Sequence, residues 1–228
     1  MKAHLASSRE IGPNTRHFEF ESPDWMAAFE PGQFLSLTQV IGEDEVTRAY
    51  SIASPPDGHR FALCANRVDQ GRFSPFLFSL EPGDEINFRG PYGAFILRRP
   101  VSDSILIATG TGIAPYRSIL HARLRAHPDR RFKLIFGVRY EAGLLYDEEF
   151  RAMARACPNF EYWPTLTRPP ETWTGRTGRV QQYAIQALGD RRDMDMYICG
   201  LREMVDDMRA KLKEIGLDRK RVIYEKYD

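Results

Sequence analysis

SILIATGTGIAP, Ser104 to Pro115, reads as a short apolar strand, a glycine turn and the opening of a helix. The glycines and the first N–H groups of the helix together make a cradle for an anion, the device that dinucleotide-binding proteins use for a pyrophosphate. Pro115 has no N–H to donate, which costs nothing in a first helical turn. The spacing departs from GxGxxG, so taken alone the stretch indicates a strand–turn–helix unit and leaves its ligand open.

Working downstream, the same grammar repeats. PYRSILHARLRAH reads as a helix, RFKLIFGV as a strand, YDEEFRAMARA as a helix and FEYWPTL as a strand. VQQYAIQAL, DMYICG, LREMVDDMRAKLKEIG and RVIYEK continue the alternation, which predicts a parallel sheet with helices on its faces. The longest candidate for a mobile loop is RPPETWTGRTG, Arg168 to Gly178.

Upstream, the pattern is different. From Met1 to about Leu97 the chain consists of short alternating runs (HLASSREI, TRHFEFES, QFLSLTQVI, RAYSIAS, RFALCANRV, EINFRG) separated by PG, PPDG and EPGD turns. That spacing predicts an all-β barrel or sandwich. One helical piece interrupts it at about Phe73 to Leu80, where Ser74 is placed to cap the N-terminus. The change of grammar at Arg98-Arg99-Pro100 puts the domain boundary near residue 99, giving domains 1–98 and 99–228.

Composition narrows the function classes. With 228 residues, 43% hydrophobic and 28% charged, the chain has the make-up of a soluble globular protein. A net charge of +1 offers no global field for nucleic acid or a membrane surface. The N-terminal stretch alternates like a strand and lacks the apolar run of a signal peptide, and no later segment reaches a membrane span. The expectation is a cytoplasmic protein. Cys64, Cys157 and Cys199 are scattered without CxxC spacing. They suit neither a disulfide framework nor a structural zinc site, and no metal is expected. Nor do they supply four thiolates for an iron–sulfur cluster, so any one-electron carrier is a separate chain.

RAYS at Arg48–Ser51, GPYG at Gly90–Gly93, GTGIAP at Gly110–Pro115 and ICG at Ile198–Gly200 occur in this order, followed by YEKYD at Tyr224–Asp228. Together they resemble the ferredoxin–NADP reductase family, across essentially the whole chain. The resemblance implies an antiparallel β-barrel flavin domain followed by an α/β parallel-sheet nucleotide-binding domain. It also implies hydride transfer from C4 of NADPH to N5 of FAD, then electron delivery to ferredoxin, flavodoxin or an oxygenase component by a monomeric enzyme.

In a strand, Arg48 and Tyr50 share one side. A flat ring with a polar tip suits stacking on an isoalloxazine, and a guanidinium suits a phosphate. The resemblance makes Arg48 the flavin phosphate ligand, Tyr50 the stacking ring and Ser51 the hydroxyl beside N5, with Ala49 among the contacts. Cys64, Ala65 and Asn66 would be strand contacts to FAD, while Arg72, Phe73 and Ser74 would line its phosphate turn. GPYGAF is read as strand-end geometry and carries no chemistry.

For the nucleotide, the resemblance assigns Gly110, Thr111 and Gly112 to the pyrophosphate turn, with Thr111 also toward the flavin. Cys199, followed by Gly200, would lie against nicotinamide C4. Cys199 has no adjacent His or Lys to lower its pKa and is read as a positioning thiol. Arg139, the Thr167–Arg168 pair and Arg179 match positions that hold the 2′-phosphate of NADP in bacterial relatives. Trp173 to Gly175 also resembles a Trp-x-Gly segment of NADH-using oxygenase reductases. Glu225 would orient the nicotinamide and couple protons, and Tyr227 would cover the flavin. Asp228 extends past the aromatic, a departure from the plant-type ending. The alternatives are an NADH-dependent oxygenase reductase component, a free flavin reductase, which RAYSIAS also resembles, and a non-catalytic subunit with the same fold.

Overall fold

The computed structural model describes residues 1–227, so the expectation about Asp228 lies outside the described residues. Packing divides the chain into two compact units. One comprises Met1–Leu97 with Ala114–Ala122, the other Arg98–Ile113 with the chain from Arg123 onward.

The first unit is built on β1 (Lys2–Gly12), β2 (Thr15–Glu21), β3 (Phe34–Ile41), β4 (Asp44–Ser51), β5 (Arg60–Asn66) and β6 (Glu85–Tyr92), with helix α1 (Phe73–Ser79) inserted before β6. The strands pair antiparallel in the order β4-β3-β6-β1-β2-β5. A bridge between Ile52 and Leu63 ties the chain leaving β4 to β5 at the opposite edge and closes the sheet on itself. Alternation along each strand supplies the interior. Leu35, Leu37, Phe18, Phe20, Phe61, Leu63, Ile86 and Phe88 all point inward, none more than 1% exposed. Each such side chain contributes roughly 1.5–3 kcal/mol on burial, so the aromatic filling rather than strand propensity holds the barrel.

The second unit contains β7 (Ser104–Thr109), after which a 3₁₀ turn at Gly110–Ile113 leads into α2 (Ala114–Arg123). It continues with β8 (Phe132–Val138), α3 (Asp147–Ala156), β9 (Phe160–Leu166), β10 (Arg176–Thr177), α4 (Val180–Leu188), β11 (Asp195–Leu201), α5 (Arg202–Glu214) and β12 (Val222–Tyr227). The sheet is parallel, in the order β10-β9-β8-β7-β11-β12. On one face Ile105, Ile107, Met196 and Ile198 pack against Val180, Ala184 and Leu188 of α4 and Val205, Met208 and Leu212 of α5. Leu106, Ala108, Leu134, Phe136 and Cys199 are equally buried on the other. A strand covered on both faces has no need of polar residues, which is why SILIAT reads as a continuous apolar run.

Two local features differ from the sequence reading. The segment read as a mobile loop carries β10, paired in parallel with Thr165 and Leu166 of β9. Trp173 Nε1 donates to the Arg176 carbonyl at 3.0 Å, and Gly178 N to the Leu166 carbonyl at 2.8 Å. The other difference is in α2, whose residues 114–122 pack with the first unit. There the Tyr116 ring meets Phe95 edge-on at 5.7 Å.

Candidate functional site

In the first unit, pairing with β3 fixes the presentation of RAYS: Leu37 lies opposite Arg48, Leu35 opposite Tyr50 and Phe34 opposite Ser51. Arg48 is exposed, and its Nη1 donates to the Thr47 carbonyl at 2.8 Å. Among the described residues no carboxylate is ion-paired with it. Tyr50 is half-buried with its ring 6.0 Å from that of Phe73. Burial pushes its phenol up to about 12, against a smaller opposing pull from Arg48. Ala49 is exposed and Ser51 buried.

Cys64 and Ala65 are buried in β5, while exposed Asn66 donates to Thr15 Oγ1 at 3.0 Å. The Gly71 turn closes by a Gly71 N–H to the Val68 carbonyl at 2.8 Å. Ser74 is not the cap of α1. The cap position is Arg72, without a side-chain bond, and Ser74 sits inside the first turn. Its hydroxyl reaches back instead, accepting from Val68 N at 2.9 Å and donating to Val68 O at 3.2 Å. Arg72 pairs with Asp44 at 2.7 Å.

Sequence reasoning missed two residues here. Arg117 Nη1 donates to the Ala53 carbonyl at 2.8 Å, and Ser118 Oγ to the Ser54 carbonyl at 2.6 Å, so α2 clamps the segment that follows Ser51. The only sequence signal was their position three and four residues after Ala114, on one helix face. Buried His17 on β2 is held down to about 4, first by burial and then by Arg117 and Arg9.

In the second unit, the glycine turn lies hard against the end of β11. A Cβ on Gly112 would overlap the Cys199 carbonyl and sit 2.8 Å from Gly200 Cα, so only glycine fits. Leu201 N donates to Thr109 Oγ1 at 3.4 Å, tying the ends of β7 and β11 together; Gly110 is exposed and Thr111 half-buried. Cys199 is fully buried, with Ala108 and Glu225 as its ladder neighbours, and Tyr227 lies opposite Leu201. Burial pushes the Cys199 thiol well above its ordinary value and the Glu225 carboxylate adds to this, while a hydrogen bond with Tyr227 opposes it. The thiol therefore stays protonated at neutral pH.

The strand ends of β8 and β9 gather the cations. Thr167 N donates to the Val138 carbonyl at 3.0 Å and Arg168 N to the Arg139 carbonyl at 2.8 Å, while Gly178, next to Arg179, is bonded to Leu166. Arg139, Arg168 and Arg179 are all exposed. Arg168 Nη1 donates to the Tyr140 hydroxyl at 3.2 Å. No carboxylate among the described residues pairs with any of the three, so the cluster is a concentrated positive site suited to a phosphate dianion.

Comparison with known proteins bears on both units. Residues 2–96 match the oxidoreductase FAD-binding domain and residues 106–210 the oxidoreductase NAD-binding domain. The chain is 40% identical over 239 residues to ferredoxin–NADP reductase B of Sorangium cellulosum, covering 100% of this chain and 97% of that protein. It is 30% identical over 228 residues to the toluate 1,2-dioxygenase electron transfer component of Pseudomonas putida, covering 99% and 67%. The crystal structure of Amycolatopsis cytochrome P450 reductase GcoB superposes with a TM-score of 0.89 at 28% identity, over 99% of this chain and 69% of that one.

Proposed function

Because the chain belongs to the ferredoxin–NADP reductase family, we propose that it is a flavoprotein reductase that takes hydride from NADPH and passes electrons singly to a separate carrier: ferredoxin, flavodoxin or an oxygenase component. FAD, when bound, supplies the hydride acceptor and the step from two-electron to one-electron chemistry. Residues 1–98 serve as the flavin domain and 99–228 as the nucleotide domain. A cytoplasmic monomer is part of the proposal; among the described residues no helix is long and apolar enough to cross a membrane.

The residues present fit both groups. Arg48 has no acid partner among the described residues and would hold a flavin phosphate, with Tyr50 offering its half-buried ring for stacking. Ser51 would supply a hydroxyl from a strand end that Arg117 and Ser118 hold rigid through the next residues. Gly112 lets the turn pack directly on the Cys199–Gly200 backbone, and the turn's N–H groups at the start of the helix would take a pyrophosphate. Cys199, kept protonated, would bear on the nicotinamide without reacting with it, and Glu225 would orient the ring and couple protons.

The observation that carries the NADPH reading is the unneutralised cluster of Arg139, Arg168 and Arg179 at the ends of β8 and β9. In a steady-state dye-reduction assay, Arg168→Ala is expected to raise the Michaelis constant for NADPH by about 10- to 100-fold, the worth of one hydrogen bond to a charged group. The constant for NADH should stay put, because NADH lacks the 2′-phosphate. Equal use of both nucleotides by the wild type, or equal weakening by the variant, would overturn the reading. The NADH-dependent oxygenase-reductase alternative, which draws on the 30% identity to the toluate dioxygenase component, would then take its place.

A further inference from the structure

A fourth arginine, between Arg168 and Arg179, is held quite differently from Arg139, Arg168 and Arg179. The Arg176 guanidinium carbon stands 4.0 Å from the centre of the Trp163 ring and 5.8 Å from that of Tyr183. Lys133 Nζ shares the Trp163 ring at 3.9 Å, but its charge is met by Glu161 at 3.3 Å, and the same carboxylate accepts from Trp163 Nε1 at 3.0 Å. Arg176 therefore spends its charge on aromatic faces.

The backbone on either side of Arg176 is tied equally tightly. Trp173 Nε1 donates to the Arg176 carbonyl at 3.0 Å, and Trp173 N to the Pro170 carbonyl at 3.0 Å, folding the segment over its own indole. A Cβ at Gly175 would lie 2.5 Å from Trp173 Cζ2, so the indole seats against a residue with no side chain. Thr177 N donates to the Tyr183 hydroxyl at 3.1 Å, and Tyr183 and Gln182 both donate to the Thr177 carbonyl at 2.8 Å. Thr165 Oγ1, fully buried, donates to the Gly178 carbonyl at 2.8 Å. Arg168 and Arg179 are the two ends of this tied segment.

The geometry points to Trp173 and Arg176 as positioning residues: a clamp across the segment that fixes the separation of Arg168 and Arg179 and thereby sets discrimination for a nucleotide bearing a 2′-phosphate. This inference rests on the NADPH reading above. Two charges at the ends of a slack loop would lose conformational freedom on meeting a dianion, whereas a pre-tied segment has already lost it. Arg176 itself does not address the phosphate.

The test uses the full-length, flavin-loaded protein and two fragments without nicotinamide, 2′,5′-ADP and 5′-AMP, with binding followed by titration calorimetry. The wild type is expected to bind 2′,5′-ADP more tightly than 5′-AMP. Trp173→Phe, which loses the indole N–H and part of the ring seated against Gly175, should weaken 2′,5′-ADP at least fivefold, about the net worth of the one ordinary hydrogen bond lost, and leave 5′-AMP unchanged. The Michaelis constant for NADPH should rise in step while kcat at saturation holds. Arg176→Lys, which keeps a cation for the Trp163 face, should retain the selectivity that Arg176→Met loses. If the wild type does not distinguish the fragments, the NADPH reading itself fails. If it does, and both Trp173→Phe and Arg176→Met preserve the ratio, the clamp is overturned while the NADPH reading stands. Should Trp173→Phe be silent and Arg176→Lys fall as far as Arg176→Met, Arg176 is a direct phosphate ligand and the positioning role is wrong.

Discussion

Two turns, one in each unit, use their polar groups in opposite ways. Around Val68–Ser74 the Ser74 hydroxyl satisfies both backbone groups of Val68, Gly71 bonds to Val68, and Arg72 is paired with Asp44. At Gly110–Ile113 and the neighbouring ends of β8 and β9, backbone contacts and neutral side chains set the geometry, and no carboxylate among the described residues pairs with Arg139, Arg168 or Arg179. The first arrangement stabilises a turn; the second holds cations in place without neutralising them. By the same measure, Arg48 rather than Arg72 carries the available positive charge of the flavin half.

The most disruptive way to break this contrast is at Gly112. Gly112→Val would drive a side chain into the Cys199 carbonyl, and displacement of the turn by an ångström is expected to cost roughly a hundredfold in NADPH-dependent dye reduction. Flavin absorbance should persist, because the change lies in the second unit. Loss of flavin together with loss of reduction would mean that the two turns are not separable.

A finer contrast lies within the flavin half. Arg48→Ala should weaken FAD by about 1.5–3 kcal/mol through loss of a charge-assisted contact. Arg72→Ala should cost less, because exposed pairs such as Arg72–Asp44 are worth only about 0–1 kcal/mol and the side chain is already engaged. Fluorescence titration of the apoprotein with FAD measures both, and a larger effect at Arg72 would reverse the assignment.

A separate expected effect is a pH dependence confined to the first unit. Folded His17 ionises at about 4, against about 6.5 when unfolded, so the folded state binds fewer protons between these values. The stability this contributes is complete above pH 6.5 and is lost as pH falls toward 4. Urea unfolding at stepped pH should show a steeper acid loss in wild type than in His17→Gln; parallel curves would assign the acid loss to other groups.

Much of the fold was legible because the signals were local. The period-two runs, the PG and EPGD turns and the strand–helix alternation each reflect the burial of nearby residues, and they yielded the antiparallel and parallel halves in order. The motif positions were legible for the same reason, since a glycine turn between a strand and a helix is written in consecutive residues. Ser74 was misread because a serine beside a helix start has two available partners, the helix N–H groups and the preceding turn. Only the path of the chain at Val68 chooses between them.

By itself, then, the sequence determined which segments become strands and helices, where the grammar changes near residue 99, and which residue types stand at each strand end. Tertiary structure alone decided how the charges are used. Arg72, at the start of α1, meets Asp44 of β4, Arg176 lies over Trp163, Arg117 reaches the Ala53 carbonyl, and Arg139, Arg168 and Arg179 pair with no acid among the described residues. Periodicity is set by neighbours a few residues away, whereas neutralisation of a charge depends on which strands lie side by side, and the sheet orders β4-β3-β6-β1-β2-β5 and β10-β9-β8-β7-β11-β12 join residues far apart in the chain.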